Sequence, residues 1–315
     1  MIRQYIPDLC ICIITYQRPE GLRRLLDTLV PQVMEQPGRS IVVVNDGSHN
    51  EKYAAVIEKY SSCIRYYSLE QNSGIARARN EAAGKADSDY IVFIDDDCLP
   101  PPFWLDWLSS ILVEHPELDV VAGITRPLLP DNPSFFARVQ AHFGFYPNPD
   151  HVQDQLRFVT ANLAIRSTFF RKLGGFRYHE NFPGASEDTE LSSRVSRSDC
   201  FRRIDYDWYV YHDVGDGLRI NMKRYWRYGY ANVWLHHFTI SPPYHDNHWA
   251  EFSRENQLSF FLRVFKRRYR EAGAGFPLII NRIFAAFMAS LIDNAYRAGC
   301  RAARLSLEQS QPVTG

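Results

Sequence analysis

The sequence predicts an α/β protein, in which a mostly parallel, Rossmann-like sheet is flanked by helices and followed by a helical C-terminal extension. Short apolar runs alternate with helical patterns over the first hundred residues, which is typical of βαβ units. The 315 residues are 45% hydrophobic and 23% charged, a composition that allows a large core. Because 36 basic residues balance 36 acidic ones, no excess of charge indicates a nucleic-acid partner.

The elements of the first hundred residues alternate between strand and helix. The apolar run 9–14 predicts a buried strand, and Pro19 is suited to the first turn of a helix over 20–29. The β-branched run 41–44 is typical of a central parallel strand. The later predicted elements are a helix over 51–60, a strand over 64–67, a helix over 75–84 and a strand over 90–94.

The second half of the chain has a less regular pattern. It predicts strands over 120–123 and 160–165 and helices over 169–175, 187–196 and 221–238. We therefore expect one domain over 1–240, divided into halves at about residue 100, and a helical extension over 241–305. The last residues, 306–315, are expected to be a disordered tail.

Cysteine usage and hydropathy predict a cytoplasmic protein, with the inner face of the cell membrane as a further location. The six cysteines show no CxxC pairing, which is typical of free thiols in a reducing compartment. We expect no signal peptide, because the apolar run at 11–14 is short and ends in polar residues. The longest apolar candidate, 277–292, contains Asn281 and Arg282 and is not expected to cross a bilayer.

Three polar loops follow the predicted strands, at 15–18, 45–48 and 95–97. In parallel sheets the carboxyl ends of the strands lie at one edge, and ligands bind beyond that edge. We therefore expect the three loops to lie close together around a ligand.

The loop with three aspartates allows two interpretations. Like charges at contact distance repel, so Asp95, Asp96 and Asp97 favour a bound cation. In an extended segment Asp95 and Asp97 share a face and Asp96 points away, and one such pair can bind a hard divalent cation together with phosphate oxygens and water. The alternative is an Asx turn that caps the segment beginning at Pro101.

Two other loops allow a structural and a ligand-binding interpretation. Asp46 precedes a glycine, so it either forms a tight turn or accepts hydrogen bonds from a nucleobase. Asn72 and Gly74 open a helix whose N-terminus favours anions. Arg77 and Arg79 on that helix are two residues apart and cannot both face one ligand, so one is expected to bind the nucleotide and the other to pair with the acidic loops.

Eight motifs occur along the chain in a definite order. They are IITYQRP at 13–19, VVNDGS at 43–48, NSG at 72–74 with ARN at 78–80, FIDDD at 93–97, TANLAIR at 160–166, LGGF at 173–176, SEDTEL at 186–191 and the isolated His212. Together they resemble the motifs of the family-2 inverting glycosyltransferases, which have the GT-A nucleotide-binding fold. The resemblance implies a nucleotide-binding half over 1–100 and an acceptor-binding half over 101–240.

The resemblance also implies the reaction and the donor site. A sugar would move from a nucleotide-sugar donor, with UDP as the carrier and dTDP or GDP as alternatives, to an acceptor hydroxyl with inversion. Asp46 would contact the base, the backbone near Thr15 would shape the base pocket, and Asp95 would contact the ribose. The residues assigned to the donor are Thr15, Tyr16, Arg18, Asp46, Asn72, Gly74, Arg79, Asp95 and Asp96.

The remaining assignments concern the metal and the reacting groups. Asp97 matches the position that ligates a metal, and His212 matches a position that ligates the metal or a phosphate. Mixed carboxylate and imidazole ligation favours Mn²⁺ over Mg²⁺. Asp188 matches the general base, and Asn162 and Glu187 would lie near the donor sugar or the acceptor. The helix dipole is expected to lower the pKa of Asp188, and Glu187 to oppose that effect. Alternatively, the two acids are simply residues favoured in the first turn of a helix.

The acceptor class and the helical extension remain open to several interpretations. A carbohydrate, a lipid-linked molecule or a small molecule can serve as the acceptor. The basic residues at 263–270 beside the apolar run 276–292 predict peripheral contact with an anionic membrane, a helix packed on the core, or a dimer contact. Lys223, Arg224 and Arg227 either add charge over the phosphates or form a solvated helix face.

Other classes of function fit the sequence less well. A polysaccharide-extruding synthase is not expected, because the chain has Lys223-Arg224-Tyr225-Trp226-Arg227 where those enzymes carry Gln-x-x-Arg-Trp. A metal-dependent nucleotidyltransferase or phosphohydrolase would need a phosphate-binding glycine loop or a second metal cluster, and the sequence shows neither pattern. A non-catalytic carbohydrate-binding protein would have no use for the acidic residues and His212 together.

Overall fold

A computed structural model of the chain forms two compact units. It describes residues 5–49, 51–144, 150–152, 155–177, 186–213, 217–238, 257–273 and 275–310. The first unit contains Met1–Arg126, Pro147–Tyr178 and Glu187–His212, and the second contains Pro127–Tyr146, His179–Ser186 and Asp213–Gly315.

An eight-stranded mixed sheet forms the centre of the first unit, in the order β3-β2-β1-β4-β9-β6-β10-β5. Strands β1 to β4 are parallel, as predicted, and the pairs β4–β9, β9–β6 and β10–β5 are antiparallel. The strands of the sheet are β1 Leu9–Thr15, β2 Arg39–Asn45, β3 Arg65–Ser68, β4 Tyr90–Asp95, β5 Cys98–Leu99, β6 Val120–Leu128, β9 Asn162–Arg166 and β10 Arg202–Asp213. A separate hairpin pairs β7 Asp150–Val152 with β8 Gln155–Arg157.

Helices cover both faces of the sheet, which explains why its central strands are apolar throughout. The helices of the first unit are α1 Pro19–Met34, α2 Lys52–Tyr60, α3 Ile75–Gly84, α4 Trp104–Glu114, α6 Ser167–Lys172 and α7 Glu187–Ser196. On one face Leu25 of α1 and Trp104 of α4 pack with Ile13 of β1. On the other, Ala78 of α3 packs with Phe93 of β4. The predicted strands and helices of this unit are thus confirmed within a few residues at each end.

The second unit is helical, with α5 Phe135–Phe143, α8 Leu218–Phe238, α9 Gln257–Glu271 and α10 Ile279–Ser310. Helices α8 and α10 approach closely because each has a glycine at the contact. A Cβ atom at Gly229 would lie 2.0 Å from the carbonyl oxygen of Tyr296, and one at Gly299 would lie 1.9 Å from that of Trp226. Helix α8 therefore belongs to the same compact unit as the helical extension, whereas the sequence predicted that it belongs to a domain over 1–240.

Two predictions about the C-terminal part can be compared with the structure. Helix α10 runs to Ser310, so the prediction of a disordered tail is wrong for residues 306–310, whereas 311–315 lie outside the described residues. Among the helices of the described ranges, none combines the length and apolar character that a membrane span requires.

Candidate active site

The predicted polar loops lie side by side at the carboxyl end of the parallel strands. Thr15 is in register with Asn45, and Ile14 with Asp95. The Asp46 amide donates a hydrogen bond to the carbonyl oxygen of Thr15 at 2.9 Å, which joins the first two loops directly. The expectation that the three loops meet at one sheet edge is therefore confirmed.

Asp46 has a structural role in the loop that precedes α3. Its carboxylate accepts hydrogen bonds from the Ser73 amide at 2.7 Å, the Ser73 hydroxyl at 2.8 Å and the Gly74 amide at 3.0 Å. The Asn72 side-chain amide donates to the carbonyl oxygen of Asp46 at 3.4 Å. A carboxylate can accept about four hydrogen bonds, so a nucleobase could use only the acceptor positions of Asp46 that these bonds do not occupy. The contact of Asp46 with a nucleobase remains a prediction.

Gly74 leaves space at the start of α3. Its φ of +87° lies in the region that favours glycine, and no heavy atom of the described chain lies within 4 Å of the position a Cβ would take. The backbone there leaves room for a ligand, and the contact of Gly74 with the donor remains a prediction.

The first loop is held by hydroxyl groups while one ring stays exposed. The Thr15 and Tyr53 hydroxyls are 2.8 Å apart, and the Arg18 amide donates to the Tyr53 hydroxyl at 2.9 Å. Tyr16 is 44% exposed, so its ring is accessible to a ligand. Tyr53 was not predicted as part of this site, because it lies on α2 in an ordinary helical pattern and only the fold brings it here.

His212, the second residue that was predicted to bind a metal, reaches the acidic loop through the β5–β10 pairing. His212 is in register with Cys98, and its Nε2 lies 3.5 Å from Oδ1 of Asp97. The Arg18 guanidinium forms an ion pair with Asp97 and lies 3.6 Å from the Asp96 carboxylate. The structure thus brings Asp97 and His212 together across 115 residues of sequence, as the motif order predicts.

The donor atoms at this place fit a divalent cation. A carboxylate oxygen of Asp97, the Cys98 sulfur and a His212 ring nitrogen all lie within 4.8 Å of one another. The carboxylate of Asp97 and the imidazole of His212 are the kinds of ligand that Mn²⁺ accepts, and the buried thiol of Cys98 lies beside them.

Asp96 adds negative charge beneath this group. It is 7% exposed, and its Oδ2 atom has no hydrogen-bond partner among the described residues. Burial and then the charge of Asp97 raise the pKa of the Asp96 carboxyl to about 7. A cation bound beside it would favour its ionised form, so this buried carboxyl is consistent with a metal site.

Arg79 connects the acidic loop to α7. It is 5% exposed, lies 2.6 Å from the Asp95 carboxylate and forms a second ion pair with Glu187. Burial opposes its charge, but the two carboxylates more than offset this and raise the pKa of its guanidinium. Arg79 therefore pairs with the acidic residues, and its contact with the nucleotide remains a prediction.

The acidic pair at the start of α7 is more basic than ordinary carboxyls. Burial raises the pKa of Glu187 to about 7 although Arg79 opposes the shift, and burial also raises the pKa of Asp188. The Thr189 amide donates a hydrogen bond to Asp188 at 2.7 Å. The expected lowering of the Asp188 pKa by the helix dipole is therefore outweighed by desolvation. A raised pKa suits a group that must accept a proton.

Asn162 is the one predicted site residue that the structure places in the core. It is completely buried, and its amide donates to the carbonyl oxygens of Ile124 at 3.2 Å and Trp208 at 3.0 Å. Its side-chain oxygen accepts a hydrogen bond from the Trp104 ring nitrogen at 3.0 Å. Because its polar atoms are used in this way, Asn162 does not face the acidic loop, and the prediction of a sugar contact does not fit this arrangement.

Comparison with known proteins identifies the family and the fold. The sequence profile described as glycosyl transferase family 2 matches residues 10–220. Validoxylamine A glucosyltransferase of Streptomyces hygroscopicus subsp. limoneus is 27% identical over 226 residues, which cover 61% of this chain and 48% of that protein. The chain thus spans about half the length of this relative.

Two solved structures share the GT-A fold. TarS residues 1–349 of S. aureus in complex with UDP-GlcNAc matches with a TM-score of 0.56 at 16% identity, covering 95% of this chain and 92% of that one. The mannosyltransferase PcManGT of Pyrobaculum calidifontis, in complex with GDP-Man and Mn²⁺, has a TM-score of 0.51 at 14% identity, covering 98% and 77%. The predicted fold class is confirmed, and since the profile spans well over half of the sequence, the chain belongs to glycosyl transferase family 2.

Proposed function

We propose that this glycosyltransferase moves a sugar from a UDP-linked donor to an acceptor hydroxyl with inversion, and that it needs a divalent metal ion. The observation that carries the proposal is the grouping of Asp97 with His212. Arg79 joins the same acidic loop to Glu187, the neighbour of Asp188. TarS in complex with UDP-GlcNAc supports a UDP carrier, and PcManGT with Mn²⁺ supports the metal. Membership of the family disfavours a nucleotidyltransferase, a phosphohydrolase or a non-catalytic sugar-binding protein.

The proposed chemistry is a single displacement at the anomeric carbon of the donor. Asp188 takes the proton of the acceptor hydroxyl while its oxygen forms the new glycosidic bond, and the bond to the nucleoside diphosphate breaks with its electron pair. Asp97 and His212 hold Mn²⁺ or Mg²⁺, which supplies positive charge for the leaving diphosphate. Arg79 keeps Glu187, the neighbour of the base, attached to the acidic loop.

The proposed metal site is tested by calorimetry with UDP in the presence of Mn²⁺ or of EDTA. We expect Asp97→Ala to weaken UDP binding in Mn²⁺ at least about tenfold, and EDTA to weaken binding to the unsubstituted protein similarly. Asp87→Ala, which removes an exposed aspartate near the opposite end of β4, is the control and should bind like the unsubstituted protein. Equal UDP affinity with and without metal would contradict the proposed site.

We also propose that the helical extension contacts the surface of an anionic membrane, where a lipid-linked acceptor would be available. Helix α10 exposes Ile280, Ile283, Phe284 and Phe287, which are spaced as one helix face and are between 40% and 56% exposed. Helices α9 and α10 together carry nine basic and three acidic side chains. An apolar face with surrounding cations is typical of a helix that lies on anionic lipid.

Flotation with vesicles tests the membrane contact. Binding to phosphatidylglycerol vesicles at low salt is expected to fall at least about fivefold in Phe284→Ser, because one large ring is lost from the apolar face. Leu305→Ser removes an equally exposed apolar side chain of the same helix and should leave binding unchanged. No flotation of the unsubstituted protein would exclude this contact, and a stable dimer that Phe284→Ser dissociates would favour the dimer alternative.

A further inference from the structure

Four aromatic side chains form an exposed cluster on the first unit. Phe103, Trp107 and Tyr211 are 45%, 41% and 36% exposed, and Tyr209 is partly buried between them. The ring centroids of Phe103 and Trp107 are 6.5 Å apart, those of Phe103 and Tyr209 6.1 Å, and those of Tyr209 and Tyr211 5.5 Å. These four residues are called the aromatic surface below.

Packing of the core does not account for the aromatic surface. Trp104 and Trp208, each next in sequence to one of its residues, stack at 5.5 Å with an angle of 15° and are almost completely buried. The same two segments, at the start of α4 and on β10, thus supply one pair of rings to the core and another set to solvent. Grouped exposed apolar side chains on a soluble unit are characteristic of a binding surface.

The aromatic surface lies beside the residues that would hold the metal. Tyr211 is paired with Leu99 and directly precedes His212, while Leu99 lies two residues after Asp97. Tyr209 lies three residues before His212 on the same strand, a distance of about 10 Å along the backbone. Because side chains alternate along a strand, the rings of Tyr209 and Tyr211 point to the face opposite His212, beside the β5–β10 edge of the sheet. A ligand of two or more sugar rings on the aromatic surface would extend around this edge to the place where the transfer is proposed to occur.

The chemistry of the aromatic surface suits a carbohydrate. One face of a pyranose ring presents C–H groups with a slight positive charge, which are attracted to the electron-rich face of an aromatic ring. The guanidinium of Arg126 stacks on one face of the Tyr209 ring, with its carbon 3.5 Å from the ring centroid, so it covers that face and offers N–H donors to the hydroxyls of a sugar bound beside it. The Trp107 ring nitrogen donates to Asp205 at 3.2 Å, which holds that ring in place.

We propose that Phe103, Trp107, Tyr209 and Tyr211 form a stacking site for the carbohydrate part of the acceptor. This inference rests on the proposed function, because it specifies the acceptor class of the same transfer reaction. It implies that the acceptor includes at least two sugar units, one stacked on the aromatic surface and one presenting its hydroxyl near Asp188.

The test is saturation-transfer NMR with cellobiose, lactose and N,N′-diacetylchitobiose as probes, on protein treated with EDTA. We expect saturation of the ring C–H protons of at least one probe. That signal should fall at least about fivefold in Tyr211→Ala and in Phe103→Ala. Tyr211→Phe keeps the ring and should retain the signal. Tyr206→Ala, which removes a 62% exposed ring elsewhere on β10, is the matched control and should also retain it.

Several results would overturn the inference. These are no saturation of any probe, equal signals in Tyr211→Ala and the unsubstituted protein, or self-association that Tyr211→Ala abolishes. Metal-dependent UDP binding is measured by calorimetry on portions of the same preparations that contain Mn²⁺ and no EDTA, and we expect the ring substitutions to leave it unchanged. Failure of the proposed function would appear as absent UDP binding in the unsubstituted protein, whereas failure of the acceptor site would appear in the sugar signals alone.

Discussion

Substitution of Asp188 by asparagine is expected to lower kcat for sugar transfer by about 100-fold to 10,000-fold, the usual contribution of a general base. Asparagine retains the size and can still accept the hydrogen bond from the Thr189 amide, but it cannot take a proton. The measurement is release of UDP from whichever member of a UDP-sugar panel the unsubstituted protein turns over in Mn²⁺. UDP binding by calorimetry should change less than about threefold, because Asp188 is not assigned to the donor.

The pH dependence of the same reaction gives a second measure of this role. The base must be ionised, and burial raises the pKa of Asp188 above the ordinary value of an aspartate. As the pH is lowered, activity should therefore fall at a higher pH than the value of about 4 expected for an exposed carboxyl. Glu187→Gln removes a negative neighbour, so this fall in activity should move to lower pH.

A matched substitution separates loss of the base from a general effect on this region. Asp199→Asn neutralises an exposed aspartate just beyond the end of α7 and should keep full activity and the original pH profile. Transfer by Asp188→Asn at a rate within a factor of about five of the unsubstituted protein would show that another group takes the proton.

Local patterns were sufficient to predict the parallel half of the sheet and the edge where the site lies. The apolar runs of β1, β2 and β4 are each buried on both faces, and such runs indicate strands without any knowledge of their neighbours. Since parallel strands end at a common edge, the positions of the loops at 15–18, 45–48 and 95–97 followed directly. The approach of His212 to Asp97 did not follow from pattern, and it was expected only from the order of the family motifs.

Pairings between distant residues could not be predicted from local patterns. Asp46 could be identified as a turn residue, but its hydrogen bonds to residues 27 and 28 positions later depend on how the α3 loop returns to the sheet. Asn162 belongs to a motif that suggests a sugar contact, yet the β9 register places it in the core against Trp104 and Trp208. Helix α8 belongs to the same unit as α10, where Gly229 lies against the backbone of Tyr296 and Gly299 against that of Trp226, and no local pattern indicates this contact.

Arg79→Met is expected to lower the free energy of unfolding by about 3 to 5 kcal/mol at pH 8 in EDTA, because it leaves buried carboxylates without their cation. Arg79 is 108 residues from Glu187 in sequence, so the loss also breaks a long-range connection between the acidic loop and α7. Urea denaturation followed by circular dichroism provides the measurement. Lys172→Met, which changes an exposed cationic side chain at the end of α6, should alter stability by less than about 0.5 kcal/mol.

The pH dependence of this destabilisation distinguishes lost charge pairing from lost packing. Without Arg79 the pKa of Glu187 in the folded state rises further above its unfolded value, because the opposing effect of the guanidinium is removed. A carboxyl with a raised pKa destabilises the fold only at a pH where it must ionise. The free energy of unfolding lost in Arg79→Met should therefore be large at pH 8, and it should shrink as the pH falls to about 7 and below. Adding Glu187→Gln to Arg79→Met should recover part of the stability at pH 8. A deficit that is equal at pH 8 and pH 5.5, and unaffected by Glu187→Gln, would mean that Arg79 stabilises the fold through packing rather than through its charge.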